Sequence, residues 1–288
     1  MLLAITSISK FISGKRLVFQ FPPKVEVIPS ILIAQWLGIK PIAIVHDLDY
    51  LRKIENFGLR CILDPKGFRM LRHSAVIIHP GGMWNLLVEN GITPKANINF
   101  WPHIITNQVS SKNKISPATE VSPTLLYAGN LVQEKCRFLK DLKKLQRPVS
   151  LYGESNFEIT GEQISIHPPF KEDKPPELLV PALGLVWDGD SIEGLQGNYG
   201  EYQKLNLPAK LSLYLAMGIP VVVSVESNIS KFVNDSGIGI SVNNLYEIPL
   251  TFSSEVWNSY LEKSSTIGKK VLDGQDFIAA FETISSIQ

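Results

Sequence analysis

Blocks of apolar residues alternate with helix-compatible stretches along the first hundred residues of the chain. Four short apolar runs of the kind that forms strands buried on both faces lie at 17–21, 42–45, 75–78 and 97–100. The helices between them are predicted over 29–38, 64–73 and 83–90. Because strand and helix alternate, the fold class is predicted as α/β, with a parallel sheet covered on both faces.

The alternation stops at residues 103–123 and then begins again. This segment is polar and has little periodicity, so it is predicted as a linker. The later strands are predicted at 125–128, 149–152, 164–166, 183–187, 221–223 and 238–242. The later helices are predicted over 134–145, 227–234, 254–263 and 268–286, besides one that begins near residue 208. The predicted organisation is a first domain of 1–102, the linker, a second Rossmann-like domain of 124–253 and C-terminal helices over 254–288.

The stretch from Leu183 to Ser224 has the clearest chemistry. It predicts a strand, a polar loop over 188–206 with four glycines, a helix and a second strand. Asn206 is predicted to cap the helix, and Pro208 to lie in its first turn. Lys210 adds a positive charge to the helix N-terminus, where an anion such as a diphosphate is favoured. Ligands of open α/β sheets bind at such carboxyl ends of strands.

Composition restricts the class of protein. The chain has 288 residues, of which 44% are hydrophobic and 19% charged, within the range of globular proteins. No apolar run approaches the roughly 20 residues of a membrane span, and the N-terminus resembles neither a signal peptide nor a transit peptide. Only Cys61 and Cys136 occur, far apart, which favours a reducing cytoplasm over a disulfide scaffold or a cysteine zinc site.

The net charge of +1 conceals an asymmetry along the chain. Residues 1–122 carry 14 Lys and Arg against 7 Asp and Glu, a formal charge of +7, and the remainder carries 14 against 20, a charge of −6. A basic first half fits an anionic partner, such as an acidic acceptor, a phosphate or a lipid headgroup surface. It fits a solvated face without a partner about as well. Nothing in the sequence resembles a nucleic-acid-binding module.

Polar groups in the second domain also follow predicted strands. Tyr202 and Asn206 suit the base, ribose or hydroxyls of a nucleotide, although a surface loop with a capping Asn explains them equally well. Asn130 and Lys135 belong to a strand-to-helix turn that suits a phosphate. That turn lacks the GxGxxG fingerprint, so an ordinary turn is the alternative.

A polar motif follows the second predicted strand of the first domain. His46 and Asp47 stand first in it, with Asp49 and Arg52 beyond them. A carboxylate or imidazole at the end of a buried strand is able to act as a general base toward a hydroxyl. The alternative is a loop in which Asp47 caps the following helix.

Several motifs together resemble one family. They are GLVWDG, EYQKLNLPAKLSLYLAMGIPVVV and IGISVNNL, together with FQFP, IVHDLDYLR, AVIIHPGGMWNLLVENGI and LLYAGNL. These are similar to bacterial GT-B glycosyltransferases that include the β-1,6-galactofuranosyltransferases and the adhesin-modifying (serine-rich-repeat) glucosyltransferases. The resemblance covers nearly the whole chain from about Arg16, and it is strongest from Gly184 to Leu245.

The resemblance implies a GT-B fold, in which two Rossmann-like domains with parallel sheets face a cleft. It implies a metal-independent enzyme without a cofactor, which takes a UDP-sugar as donor. The residues that it assigns to the UDP part of the donor are Asn130, Lys135, Tyr202, Asn206 and Lys210. Lys210 would offset charge on the departing diphosphate.

The resemblance also implies a reaction and its partners. A hexosyl unit, such as galactofuranose or glucose, would move to a glycan hydroxyl on a lipid carrier or a protein, in polysaccharide or glycoprotein synthesis. His46 and Asp47 match the family's HD at the cleft floor and are the candidate catalytic bases. The expected location is the cytoplasm. A homo-oligomer and a peripheral contact at the inner face of the membrane stay open, and no nucleic-acid partner is expected.

Two acidic motifs imitate those of other glycosyltransferases. Asp188 and Asp190 have the spacing of the DxD metal motif, but Asp-Gly-Asp is an ordinary turn. Glu193 and Glu201 have the spacing of the E-x7-E donor motif, but the second Glu of that motif lies on the helix, where this chain has Leu213. The histidines show no metal-ligand spacing, so no metal is expected.

Two alternatives remain open for the function. A doubly wound domain ordinarily has another strand and helix ahead of residue 17, so the first domain is expected to be short at its N-terminus. A short first domain favours a non-catalytic GT-B subunit that supports a partner transferase. A sugar-nucleotide epimerase, which shares the two-domain architecture, is the second alternative.

Overall fold

The computed structural model describes residues 17–48, 51, 68–103, 105, 119–178 and 180–287. Contacts divide the chain into two units. The first unit comprises Met1–Ile98 and Ala280–Gln288, and the second comprises Asn99–Ala279. The predicted domain boundaries stay predictions.

The first unit contains a parallel sheet. Its described strands are β1 (Val18–Phe21), β2 (Ile42–Val45), β3 (Ala75–Ile78) and β4 (Ala96–Asn97), paired in the order β1-β2-β3-β4. Its described helices are α1 (Ile28–Trp36), α2 (Phe68–Arg72) and α3 (Gly82–Glu89). Every residue of β2 and β3 is buried, as expected of parallel strands covered by helices on both faces.

The second unit contains a six-stranded parallel sheet and a two-stranded antiparallel sheet. The large sheet comprises β6 (Thr124–Ala128), β7 (Val149–Tyr152), β8 (Ile164–His167), β9 (Ala182–Val186), β10 (Val221–Ser224) and β11 (Gly239–Val242). Its strand order is β11-β10-β9-β6-β7-β8. The small sheet pairs β5 (Glu120–Val121) with β12 (Phe252–Ser253), so the end of the predicted linker is already part of this unit.

The helices of the second unit lie between these strands and after them. They are α4 (Gln133–Cys136), α5 (Gly197–Gln203), α6 (Ala209–Ala216), α7 (Ser230–Ser236) and α8 (Ser254–Leu272), followed by α9 (Gln275–Ile287), which continues into the first unit. α8 packs so closely on α6 that a Cβ atom at Gly268 would overlap the backbone oxygen of Leu215. That close approach fixes α6 from outside the sheet.

The strand order creates a switch point between β6 and β9. From β6 the chain adds β7 and β8 on one side, and it then returns to place β9 on the other side of β6. The connections after β6 and β9 therefore diverge, which leaves a crevice at the carboxyl ends of the two strands. Ligands of doubly wound sheets bind in this crevice.

Most predicted strands and helix ends are confirmed within the described residues. The helix predicted after residue 208 ends at Ala216, and the left-handed Gly218 (φ 69°) follows it. The helix predicted over 227–234 is α7, which ends at the left-handed Gly237 (φ 61°). Of the helix predicted over 64–73, only the part from residue 68 lies within the described residues.

Several local predictions are wrong. The N-cap of α6 is Pro208, so Asn206 does not cap it. The polar loop predicted over 188–206 contains α5. The helix predicted over 134–145 is one α-helical turn, α4, followed by a 3₁₀ helix at Arg137–Lys144. The two C-terminal helices meet at residues 273–274 rather than near 265, because α8 runs unbroken to Leu272.

Candidate donor site

A cavity of about 520 Å³ opens at the carboxyl ends of β6, β7 and β8. It lies entirely within the second unit, at the side of the switch point where α6 begins. The side chains that matter for its chemistry are Asn130, Lys135, Tyr152, Glu154, Phe170, Glu172, Lys210 and Leu213. Three of the predicted donor residues, Asn130, Lys135 and Lys210, are therefore brought together.

The N-terminus of α6 forms one end of this cavity. Its N-cap residue, Pro208, makes no side-chain hydrogen bond to the first turn. Trp101 holds the turn in place, since its ring Nε1 donates to the oxygen of Leu207 (3.1 Å) and its backbone N–H donates to Ser212 Oγ (2.8 Å). The N–H groups of the first turn and the positive end of the helix dipole favour an anion here.

Lys210 is buried in the first turn of α6, with 8% of its surface exposed. Its Nζ donates to Asp188 Oδ1 at 2.6 Å and lies 4.5 Å from the centre of the Tyr127 ring. The same carboxylate oxygen accepts a hydrogen bond from the Tyr127 hydroxyl at 2.8 Å. The prediction that Asp188 belongs to an ordinary turn is therefore incomplete, because its side chain is the counter-ion of Lys210.

Lys135 brings a second positive charge to the same place. Its Nζ lies 4.0 Å from Asp188 Oδ2, the other oxygen of the carboxylate. Two lysines and one aspartate leave the cluster with a net charge of +1. Together with the N-terminus of α6, this end of the cavity suits a diphosphate.

Burial and charge act on the two partners in opposite ways. Burial alone would raise the pKa of Asp188, but Lys210, Lys135 and two hydrogen bonds outweigh it and hold that pKa below its usual value. Burial lowers the pKa of Lys210 to about 8. The charge of Asp188 acts to raise this pKa, and the charge of the nearby Lys135 acts to lower it. Asp188 is therefore ionised at neutral pH, and Lys210 loses its proton in mildly alkaline solution.

Glycines bring the backbone close to this charge cluster. Gly129, which follows β6, has a φ of 146°, and a Cβ atom there would lie 3.5 Å from Lys210 Cε. Gly153, which follows β7, has a φ of 153°, and a Cβ atom there would overlap the oxygen of Gly129. Both positions need glycine, and the result is an open turn that leaves room for a phosphate beside Asn130.

An aromatic wall forms the other side of the cavity. The rings of Tyr152 and His167 stack at 4.5 Å with an interplanar angle of 19°, and Phe170 meets Tyr152 edge-on at 5.5 Å. Tyr152 and Phe170 line the cavity, and the exposed carboxylates of Glu154 and Glu172 stand beside them. These four lining residues were not predicted from the sequence, because they lie at a short strand end and in a proline-rich loop without a motif.

Two predicted donor residues lie outside the cavity wall. Tyr202 is buried within α5, with 3% of its surface exposed, which contradicts the stacking role predicted for it. Asn206 is half-buried, and its Oδ1 atom is buried without a hydrogen-bond partner. A role for Asn206 in nucleotide binding stays a prediction.

The candidate bases belong to the first unit. His46 and Asp47 directly follow β2, and both are half-buried. Burial lowers the pKa of His46, and the neighbouring Asp47 opposes this effect. His79, which follows β3, is fully buried, and burial lowers its pKa to about 4. A hydrogen bond with the backbone oxygen of Pro80 and the charge of Asp47 both act to raise this pKa but do not outweigh burial. Asp49 and Arg52 lie outside the described residues.

A sequence model of the family described as "Glucosyltransferase 3-like, C-terminal domain" matches residues 125–281, more than half of the chain. The chain belongs to the glucosyltransferase 3-like family. The matched region of this family member contains the whole donor cavity, from Asn130 to Leu213. The resemblance found in the sequence is confirmed.

Two relatives and one solved structure extend this result. The chain is 26% identical to the β-1,6-galactofuranosyltransferase WbbI of Escherichia coli (strain K12), over 86% of the chain and 72% of WbbI. It is 37% identical to glucosyltransferase 3 of Streptococcus gordonii over 76 residues, 25% of the chain and 22% of that protein. The structure of Anabaena HepE in complex with UDP and glucose has a TM-score of 0.56 at 12% identity, over 98% of the chain and 81% of HepE. The GT-B fold is confirmed.

The described residues of this family member contain no group of three or more His, Cys, Asp or Glu side chains placed to hold a metal ion. None of the helices in the described ranges has both the length and the apolar character needed to cross a membrane.

Proposed function

We propose that this glucosyltransferase 3-like protein is a hexosyltransferase that takes a UDP-sugar as donor and a glycan hydroxyl as acceptor. One observation carries the proposal. One cavity of the second unit is lined by two lysines, by the N-terminus of α6 and by the aromatic side chains of Tyr152 and Phe170. The names of the curated relatives, a galactofuranosyltransferase and a glucosyltransferase, support the reaction class.

The cavity suggests how UDP would lie. The diphosphate would occupy the end formed by Lys210, Lys135 and the first turn of α6, because all three favour negative charge. The uracil would then reach the side of Tyr152 and Phe170, where an aromatic face suits a base. The ribose would lie between these ends, within reach of exposed carboxylates that accept hydrogen bonds from hydroxyls.

The chemistry follows from this placement. The oxygen of an acceptor hydroxyl bonds to the anomeric carbon of the donor sugar, and the bond from that carbon to the β-phosphate oxygen breaks. UDP leaves with additional negative charge, which Lys210 and Lys135 would stabilise. The hydroxyl proton passes to a base, and Asp47 and His46 remain the candidates for this step.

The function is tested by measuring UDP release from UDP-glucose and UDP-galactofuranose, each with and without a glycan acceptor. A transferase releases UDP at a rate that depends on the acceptor. An epimerase changes the sugar without transfer, and a non-catalytic subunit does neither. Lys210→Met is expected to abolish most of the release, whereas Lys231→Met, at a lysine whose side chain is 86% exposed, is the matched control.

A peripheral contact with an anionic membrane surface is part of the proposal, together with a cytoplasmic location. α1 exposes a large apolar face in which Trp36 is 73% and Ile33 57% exposed. Two exposed lysines flank this helix in the sequence, Lys24 before it and Lys40 after it. An exposed tryptophan and aliphatic side chains between lysines suit the boundary of lipid headgroups and acyl chains. An acceptor on a lipid carrier would be found at such a surface.

A further inference from the structure

Asp188 contacts two lysines that line the donor cavity, Lys210 and Lys135, and the transferase reaction described above gives it no role. It directly follows β9, and 8% of its surface is exposed. An ionised carboxylate at a site for diphosphate should repel the ligand. Its presence there therefore needs a physical reason.

The position of Asp188 is fixed by three elements. Its backbone N–H donates to Gln203 Oε1 of α5, and Gln203 Nε2 donates to the oxygen of Val186 at 2.7 Å. The hydroxyl of Tyr127, on β6, holds the carboxylate from the other side. Such a carboxylate is oriented toward the lysines rather than free to turn into solvent.

Lys210 depends on this carboxylate for its charge. The ionisable groups that act most directly on it are Asp188 after β9, Lys135 and Cys136 on α4, and Tyr127 on β6, and the exposed Glu154 and Glu172 line the same cavity. Among the first four groups Asp188 alone is an ionised acid, because burial raises the pKa of the Cys136 thiol to about 12 and that of Tyr127 well above its usual value. Without Asp188, burial and the charge of Lys135 would both act to remove the proton from Lys210.

We propose that Asp188 is a positioning residue for the donor, which keeps Lys210 charged and directed toward the cavity so that this lysine can bind the diphosphate. The proposal rests on the proposed function, because it needs UDP in this cavity. Asp188 acts through Lys210 and does not touch the donor.

The proposal predicts how the affinity for UDP depends on pH. Lys210 binds phosphate in its protonated form, so the affinity of the unmodified chain should be nearly constant between about pH 7 and pH 8, above the pKa of the terminal phosphate, and then fall by up to about tenfold per pH unit. Replacement of Asp188 by Asn lowers the pKa of Lys210 further. The fall should then begin below pH 7.5, and the affinity at pH 7.5 should be about tenfold weaker.

The test is calorimetric titration of UDP into the unmodified chain, Asp188→Asn, Lys210→Arg and the double variant, between about pH 6.5 and pH 9. Uridine, which has no phosphate, is the control ligand, and its affinity should be unchanged by Asp188→Asn. Arginine stays protonated throughout this range, so the double variant should lose the pH dependence that Asp188→Asn creates. Asp188→Ser serves if Asp188→Asn does not fold, and it should shift the profile in the same direction, because it also removes the carboxylate.

Two results would overturn the proposal. One is an affinity of Asp188→Asn for UDP that equals or exceeds that of the unmodified chain at every pH, which would show that Asp188 only competes with the ligand. The other is a weaker affinity with an unchanged pH profile, which would show a merely structural role. A failure of the unmodified chain to bind UDP would instead refute the proposed function, and this inference with it.

Discussion

Replacement of Lys210 by Met is expected to destabilise the second unit, apart from any effect on the donor. The substitution removes the nearest partner of a buried carboxylate, Asp188, and leaves a side chain of similar length. Asp188 keeps the hydrogen bond from Tyr127 and the charge of Lys135 at 4.0 Å. The loss is therefore smaller than that of an isolated buried charge.

An upper limit for this loss comes from protonation. A carboxylate left without its partner can take up a proton, which at pH 7 costs about 4 kcal/mol for an ordinary pKa near 3.9, at about 1.4 kcal/mol per pH unit. The remaining partners reduce this loss, and so does removal of the cost of burying the Lys210 charge, so we expect a loss of about 2 to 3 kcal/mol at pH 7, at or below the roughly 3–5 kcal/mol typical of broken buried pairs. At pH 5 the same limit is only about 1.5 kcal/mol.

Urea-induced unfolding, followed by circular dichroism, measures this loss. Lys210→Met, Asp188→Asn and the double variant are compared at pH 7 and pH 5, with Lys231→Met as the exposed control. In the folded unmodified chain the pKa of Asp188 is depressed, so its stabilisation is present above the unfolded pKa and is lost as the pH falls through the folded pKa. The double variant should be more stable than Lys210→Met, because no carboxylate is left unpaired. Equal losses at both pH values, or a double variant that loses the sum of the single losses, would refute this reasoning.

Three other substitutions test separate parts of the structure. Phe170→Ala should weaken uridine and UDP by similar factors of about tenfold in calorimetry, because stacking on a base is worth about 1–3 kcal/mol, and unchanged affinities would exclude the aromatic wall. Gly268→Leu should lower the urea midpoint, since its side chain would overlap the backbone of Leu215, and a cost below about 1 kcal/mol would contradict that contact. Trp36→Ser should reduce flotation of the chain with anionic vesicles and leave UDP binding unchanged. Equal flotation of the variant and the unmodified chain would contradict a membrane contact through α1.

The strand and helix alternation was predictable because burial on both faces gives parallel strands continuous apolar runs. β2, β3 and β10 are examples, since every residue in them is buried. α5 was not predictable, because the segment GNYGEYQ begins with glycine, contains a second glycine and lacks an apolar period. The N-cap of α6 was predicted two residues too early. Asn206 is a conventional capping residue, but Pro208 holds the N-cap position in the structure.

The donor site was predictable where it depends on strand ends. Asn130 and Lys135 follow β6 within seven residues, and Lys210 lies in the first turn of α6, whose N-terminus faces the same edge of the sheet as the carboxyl ends of the strands. The partnership of Asp188 with Lys210 joins residues 22 positions apart, and no local pattern reveals it. The burial of Tyr202 was not predicted, because a tyrosine in a polar loop and a tyrosine buried in a short helix have the same local sequence.

Leu213 gives the cavity a constraint on how a nucleotide can be held. It occupies the helical position at which the E-x7-E motif of other glycosyltransferases has its second carboxylate, and here it lines the cavity as an apolar side chain. An apolar group cannot accept hydrogen bonds from ribose hydroxyls, so in the proposed donor site Leu213 would leave that role to other residues. The carboxylates of Glu154 and Glu172 line the same cavity and would be able to accept such bonds. Under this proposal the phosphates would be held by α6 and the ribose by the loops after β7 and β8.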